Sequence, residues 1–215
     1  MVRRFTAVVS IFAFLFLGGC GGSKPANYFI LHSMQNPVSG VETADTSRDS
    51  AIGIGPVKIP DYLDRPQMAT RSTLSSLQFA EFDKWAEPLD KNLARVLAEN
   101  LSFLLSTDRV FVFPWAKSMQ VEYQITVDVS RLDNTPDSKI ALVALWCILT
   151  DEGEKLLMTK RSTISVPVGS PGYQGIASAE SRAVEALSRE IATAVQSLPH
   201  QIVQPVGPEK EPAPD

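Results

Sequence analysis

Residues 121–149, VEYQITVDVSRLDNTPDSKIALVALWCIL, decide the fold class because they hold two strand patterns joined by one turn. Over Val121–Val129 every second residue is apolar, which is typical of a strand with one buried face. The intervening polar positions are Glu122, Gln124, Thr126 and Asp128. After the turn-rich DNTPDS, Ile140–Leu149 is apolar on both faces, and this predicts a central strand of the same sheet.

Shorter strand patterns lie on both sides of this pair. KLLMTKRSTISV, which follows the turn DEGE, predicts the third strand of a meander. Toward the amino terminus, NYFIL (27–31) predicts a short strand, and AIGIGPVKIP (51–60) predicts another with a bulge near Gly53, Gly55 and Pro56. PQMATRS and LQFAEF predict two strands or an irregular hairpin.

Two amphipathic helices complete the pattern. The first begins at Pro88, which suits a first turn, and carries the stripe Leu89, Leu93, Val96, Leu97, Leu101, Leu104 and Leu105. The second runs from about Ser178 to Leu198, with the stripe Ala183, Leu187, Ile191, Ala194, Val195 and Leu198. Because each stripe needs a surface to cover, we expect an α+β fold, a mixed α/β sandwich. Its two helices would pack on one face of a largely antiparallel sheet.

The amino terminus has the features of a secretory signal peptide. Arg3 and Arg4 are followed by the apolar run Phe5–Leu17, which is too short to span a bilayer. In a bacterium, Leu17-Gly18-Gly19-Cys20 forms a lipobox, which predicts a covalent lipid on the Cys20 thiol and then on its freed amine. The alternative is an ordinary signal peptide with an incidental cysteine. Since Gly21 is not the aspartate associated with inner-membrane retention, we expect outer-membrane sorting, facing the periplasm.

These patterns divide the chain into four parts. Residues 1–19 form a lipoprotein signal peptide, 20–26 a lipid-anchored tether, 27–199 a single periplasmic α/β domain, and 200–215 a disordered carboxy-terminal tail. We also expect a mobile loop at Gln35–Ser50. Removal of the signal peptide takes the net charge from -4 to about -6, and this balance does not favour nucleic acid.

The sequence offers little for catalysis. The two histidines, His32 and His200, lie beside the anchor and in the tail, so neither a histidine-based catalytic triad nor a histidine metal site is expected. Carboxylates such as Asp61 and Asp64 fit a solvated turn better than an acid–base pair. Cys147, in an apolar run, is expected to be a small buried hydrophobic residue. We therefore expect no enzyme activity, no metal and no cofactor.

One segment is richer in aromatic, arginine and proline residues than packing alone requires. Between residues 57 and 101 it holds Tyr62, Leu63, Arg65, Met68, Phe79, Phe82 and Trp85. These side chains either close the open end of the core or form a protein interface. YFIL after the lipobox, PVKIPDYLDRPQMATR and FDKWAEPLDKNLARVLAENL together resemble the PqiC/YmbA family of ABC-type transport auxiliary lipoproteins. The resemblance covers about Cys20 to Leu198, with Ala69 where many relatives have valine.

The resemblance carries several expectations about function. Members of this family are outer-membrane lipoproteins that face the periplasm and accompany Mce-type intermembrane lipid transport systems. It implies a non-catalytic accessory subunit that docks or anchors the periplasmic Mce-type protein. The family signature falls on Tyr62, Leu63, Asp64, Arg65, Pro66, Gln67, Trp85, Glu87, Pro88 and Leu89. We take the first nine of these residues as partner-binding candidates. An accessory lipoprotein of another envelope assembly and a periplasmic lipid-binding carrier stay as alternatives.

The strand Ile140–Leu149 also bears on the oligomeric state. Because it is apolar on both faces, both faces of its sheet need cover. A second copy of the chain could supply that cover, as could the amino-terminal strands. A homo-oligomer is therefore a further expectation.

Overall fold

The computed structural model describes residues 24–35, 50–150 and 153–198. The expected signal peptide, Cys20 and the carboxy-terminal tail lie outside these ranges, as does most of the loop expected at 35–50. Among the described residues, no helix has both the length and the apolar character needed to cross a membrane.

The described chain forms eight strands, two α-helices and one short 3-10 helix (Lys117–Met119). In chain order they are β1 (Asn27–Phe29), β2 (Ile52–Lys58), β3 (Gln67–Thr73), β4 (Ser76–Trp85), α1 (Leu89–Leu105), β5 (Val110–Val112), β6 (Tyr123–Asn134), β7 (Lys139–Thr150), β8 (Lys155–Pro167) and α2 (Gly172–Ser197). The strands make two sheets, a large one in the order β5-β2-β6-β7-β8 and a small one in the order β1-β4-β3.

The α+β class is confirmed, but the large sheet is mixed where a largely antiparallel one was expected. β6, β7 and β8 form the expected antiparallel meander, whereas β2 lies parallel to both β5 and β6. The parallel pair arises because the β3–β4 hairpin and α1 intervene between β2 and β6, and parallel strands need such a long crossover. The small sheet is mixed too, since β1 is parallel and β3 antiparallel to β4.

Both helices pack on one face of the large sheet, as expected. α1 lies over β2 and β5, α2 lies over β7 and β8, and the helices contact each other. Inward residues of β6 and β7 fill the space beneath, and Tyr123 and Trp146 are fully buried there. The Trp146 indole N–H donates to Ser162 Oγ at 2.9 Å, and this hydroxyl donates to Glu190 of α2 at 2.7 Å. A hydrogen-bonded chain thus connects the core to the second helix.

Neither helix of the described chain covers the opposite face of β7. Its outward positions are Ala141, Val143, Leu145, Cys147 and Leu149, and the Leu145 side chain is 45% exposed. Cys147 is partly exposed on this face, with its Sγ 3.4 Å from Thr159 Oγ1, so the expectation of a buried cysteine was wrong. A run that is apolar on both faces does not reveal which alternate positions face outward.

Glycines account for two local features that the sequence only partly revealed. The expected bulge in β2 is confirmed, since its register with β6 shifts between Ile54 and Val57. A Cβ on Gly53 would lie 2.5 Å from the Trp115 indole, so the missing side chain makes room for that ring.

Helix α2 begins six residues earlier than the expected Ser178. Gly175 lies in the first turn of this helix, and a glycine is required there because a Cβ would overlap the Ser170 carbonyl oxygen.

The chain after β1 runs against both helices and is held by their side chains. Leu31 N–H donates to Asn92 Oδ1 at 3.2 Å, and Met34 N–H donates to Asn100 Oδ1 at 2.8 Å. Between them, His32 N–H donates to Ser181 Oγ on α2. These bonds supply acceptors to backbone donors that have no strand partner. Leu31 is itself buried, so the segment belongs to the core.

Replacing Asn92 with alanine tests this attachment. We expect Asn92→Ala to lower the free energy of unfolding by about 1–3 kcal/mol, because the Leu31 N–H is left buried without an acceptor. Urea unfolding measures the loss, and hydrogen exchange at residues 31–34 should quicken. Lys91→Ala, at an exposed neighbouring position, serves as the control. Equal stability of the two variants would contradict the assigned role of Asn92.

Candidate functional site

The structure brings together the two halves of the signature, which lie about twenty positions apart in the chain. Residues 60–66 form a turn before β3, and Trp85 ends β4. Gln67 pairs with Lys84 at the base of the β3–β4 hairpin. Beside this pair, the Trp85 N–H donates to the Pro66 carbonyl at 2.7 Å. The β3–β4 hairpin therefore brings the two halves of the signature into contact.

A depression of about 300 Å³ lies where the two halves meet, and we call it the signature depression. Its lining consists of Asp64, Arg65, Pro66, Trp85, Ala86, Glu87 and Pro88. Trp85 is buried and forms its floor, whereas Asp64, Arg65 and Pro66 are exposed at its rim. Six of the nine partner-binding candidates thus line one surface feature, and Gln67 follows Pro66 as the first residue of β3.

Two of the three charged side chains that line the signature depression, Arg65 and Glu87, are held by neighbouring side chains. The Arg65 guanidinium carbon lies 4.1 Å from the centre of the Phe79 ring, in cation–π geometry. Glu87 accepts hydrogen bonds from Asn92 Nδ2 at 2.6 Å and from Arg95 Nη2 at 2.8 Å. Asn92 also accepts a hydrogen bond from the Leu31 N–H, so this residue of α1 connects the rim to the amino-terminal segment. The depression is therefore a preformed surface.

Tyr62 and Leu63 lie beneath the signature depression and do not line it. Leu63 is 4% exposed and packs in the core. The Tyr62 hydroxyl donates to Asp133 Oδ2 at 3.0 Å. Burial, followed by the charge of Asp133, raises the pKa of Tyr62 to about 12, so the hydroxyl stays protonated. The geometry gives both residues a supporting place under the turn.

Sequence reasoning missed the buried carboxylate that organises this region. The Asp133 side chain, at the end of β6, is fully buried and accepts from Arg71 Nη2 and from Arg131 Nε, each at 2.8 Å. Burial alone would raise the pKa of Asp133, but hydrogen bonds from Arg71, Arg131 and Tyr62 outweigh it and hold the pKa low. The available signal was the charged RLDN at the end of an otherwise alternating strand.

A second buried carboxylate lies on α2. Glu180 is 3% exposed, and its Oε2 has no hydrogen-bond partner among the described residues. Burial, followed by the charge of Asp133, raises the pKa of Glu180 well above its ordinary value. The Glu180 side chain is therefore neutral over a range of pH in which an exposed glutamate is charged. Its position among buried alanines and serines on α2 makes it part of the helix face that packs inward.

Replacing Glu180 with glutamine should change how stability depends on pH. Because the folded-state pKa is raised, the wild-type protein loses stability as pH rises above the ordinary glutamate value of 4.5. We expect Glu180→Gln to be the more stable protein at pH 7 and to converge with wild type near pH 4.5. Chemical unfolding at several pH values measures this difference. Glu185→Gln, on the same helix but paired with Arg189 at the surface, should show no such trend.

Replacing Asp133 with asparagine should change the pH dependence of stability in the opposite direction. The lowered folded-state pKa means that the carboxylate stabilises the fold above its ordinary value of 3.8 and that this contribution fades as pH falls below it. We expect Asp133→Asn to cost about 3 kcal/mol at pH 7, because two guanidinium groups lose a buried counter-charge. The deficit should shrink in acid. Asp61→Asn in the exposed turn is the control, and an equal loss there would refute the proposed role of Asp133.

Comparison with known proteins identifies the family of this chain. The family model for the ABC-type transport auxiliary lipoprotein component matches residues 32–192. The intermembrane transport lipoprotein PqiC of Escherichia coli (strain K12) is 27% identical over 143 residues, which is 66% of this chain and 73% of that protein.

Solved structures share the fold. A crystal structure of an uncharacterized protein superposes with a TM-score of 0.66 at 18% identity, covering 80% of this chain and 99% of that one. Protein XCC0632 from Xanthomonas campestris superposes with a TM-score of 0.65 at 16% identity, covering 79% and 94% of the two chains. With a match over most of its described domain, this chain belongs to the family of ABC-type transport auxiliary lipoprotein components.

Proposed function

We propose that this chain is an outer-membrane lipoprotein that docks the periplasmic Mce-type protein of an intermembrane lipid transport system through the signature depression. Family membership already makes it an auxiliary lipoprotein of a transport system in the cell envelope. The observation that carries the docking role is the convergence of Asp64, Arg65 and Pro66 with Trp85, Glu87 and Pro88 on one exposed feature.

The chemistry of the signature depression suits recognition of a protein. Its rim carries a cation, Arg65, and two carboxylates, Asp64 and Glu87, around an apolar floor. Interfaces typically place a few aromatic or arginine anchors in such recesses and surround them with polar groups. A volume of about 300 Å³ accommodates one or two side chains of a partner. The Glu87 carboxylate accepts hydrogen bonds from Asn92 and Arg95. These bonds suit a structural role at the rim better than a role in proton transfer.

The proposal includes a lipid on Cys20, which fixes the domain to the outer membrane. Several acyl chains make such an anchor stable, whereas one alone holds a protein only marginally. The name of the E. coli relative, an intermembrane transport lipoprotein, supports a membrane-attached form. The carrier alternative has less support in the geometry. The signature depression and a second depression of about 350 Å³ beside β2 lie near the lower limit for pockets of drug-sized ligands.

Self-association stays a prediction alongside this proposal. The uncovered outer face of β7, with Leu145 and the neighbouring Leu156 of β8 both exposed, is the surface on which it would occur. This face is distinct from the signature depression, so an oligomer and a docked partner do not compete for the same residues.

Crosslinking in cells tests the docking role. A photoreactive amino acid at Asp64, on the rim, should form an adduct with an Mce-type protein, whereas the same group at exposed Asp108 should not. Trp85 is buried, and the partly buried Tyr62 does not line the depression, so Asp64 is the better position for the probe. Mass spectrometry identifies the adduct. An adduct with the components of a different envelope assembly would replace this proposal with its nearest alternative, and copurified phospholipid without any adduct would favour a carrier.

Charge reversal at the rim provides a matched pair of variants. We expect Arg65→Glu to reduce the yield of the Asp64 adduct roughly tenfold, since interface arginines commonly contribute 1–2 kcal/mol or more. Arg65→Lys keeps the charge but loses the planar stacking on Phe79, and should give an intermediate yield. Unchanged yields in both variants would count against a partner at this rim.

A further inference from the structure

The pairing of β1 fixes the direction from which the amino-terminal chain reaches the domain. β1 is parallel to β4, and Asn27 lies opposite Asp83, an offset of 56 positions. The chain before Asn27 therefore comes from the side of the turn that joins β3 to β4. We call this turn, Thr73–Ser76, the hairpin tip.

The length of the tether matches the distance to the hairpin tip. Cys20 precedes Asn27 by seven residues, and Ser76, the first residue of β4, precedes Asp83 by the same number. Seven residues of chain reach at most about 25 Å, and the part of β4 between Asp83 and Ser76 rises roughly 23 Å. The tether is therefore long enough for the hairpin tip to touch the surface to which a lipid on Cys20 would be attached.

The chemistry of the hairpin tip fits a phospholipid surface. Leu74 is 86% exposed, and its neighbours Thr73, Ser75 and Ser76 carry hydroxyl or apolar groups and no charge. Arg71 lies just below, and its Nη1 donates to the Leu74 carbonyl at 2.9 Å. The Arg71 guanidinium is paired with Asp133 at 2.8 Å, and residues 73–76 themselves carry no charge. An uncharged tip with one exposed apolar side chain suits the boundary between headgroups and acyl chains.

We propose that the hairpin tip inserts Leu74 among the headgroups of the leaflet that holds the Cys20 lipid, as a second membrane contact. This inference rests on the proposed function, because it needs the lipid on Cys20. Two contacts define the orientation of the domain, which a single point of attachment leaves free. A single exposed leucine offers little area for a protein partner, but fluid acyl chains can accept one side chain, and serine and threonine hydroxyls can donate to phosphate oxygens.

Site-specific labelling of the lipidated full chain tests this contact. An environment-sensitive fluorophore is placed at Leu74→Cys in a Cys147→Ser background, and the protein is reconstituted in vesicles of phosphatidylethanolamine and phosphatidylglycerol. Thr193→Cys, exposed near the far end of α2, is the matched control. We expect nitroxide-labelled acyl chains to quench the label at 74 at least about threefold more strongly than the label at 193. The reason is that a contact of this kind lies ~5–10 Å deep in the leaflet, within reach of the nitroxides.

Mass measurement of the amino terminus separates the possible failures. A lipidated Cys20 with the label at 74 as accessible to water as the control overturns this inference and leaves the proposed function intact. Equal quenching of both labels also overturns it, since the tip would then have no special contact. A label at 74 that is shielded only after an Mce-type protein is added assigns the tip to a protein partner instead. An unmodified Cys20 overturns both proposals.

Discussion

The Asp133 carboxylate is the contact that joins the two sheets, and the surface features of the domain depend on it. It accepts from Tyr62 in the turn before β3, from Arg71 within β3, and from Arg131 of β6. Close by, the Arg71 N–H donates to Asn134 at 2.8 Å. A buried charge is tolerated only when it is paired, so three donors must stay at their places. The position of the small sheet follows from this requirement.

The orientation of the small sheet in turn separates two surfaces. The signature depression lies where β4 ends at Trp85, and the hairpin tip lies where β4 begins at Ser76. Ten residues of strand place about 30 Å between them. A membrane on one side and a soluble partner on the other can therefore be approached at the same time. The helices take no part in either surface beyond the start of α1, and their role is to close the core.

Sequence patterns predicted what depends on periodicity and missed what depends on pairing. The leucine stripe of α1 and the alternation of β6 specify their own elements, because each is a local signal. The parallel pairing of β2 with β6 was missed because nothing local states which strands become neighbours. Asn92, Asn100 and Glu180 were missed as well, since polar residues on a buried helix face have no pattern of their own. Recognition of the signature found Asp64 and Arg65 at the rim, but could not tell them from the supporting Tyr62 and Leu63.

The attachment of the amino-terminal segment also determines how the domain bears a mechanical load. The chain before β1 leaves along the axis of β4, so tension on it draws β1 lengthwise past its neighbour. The ladder with β4 and the bonds from Asn92, Asn100 and Ser181 are then loaded in shear and share the force. A strand pulled sideways would instead lose its bonds one after another. A pulling force on the amino terminus is thus distributed across the small sheet and both helices before any single bond breaks.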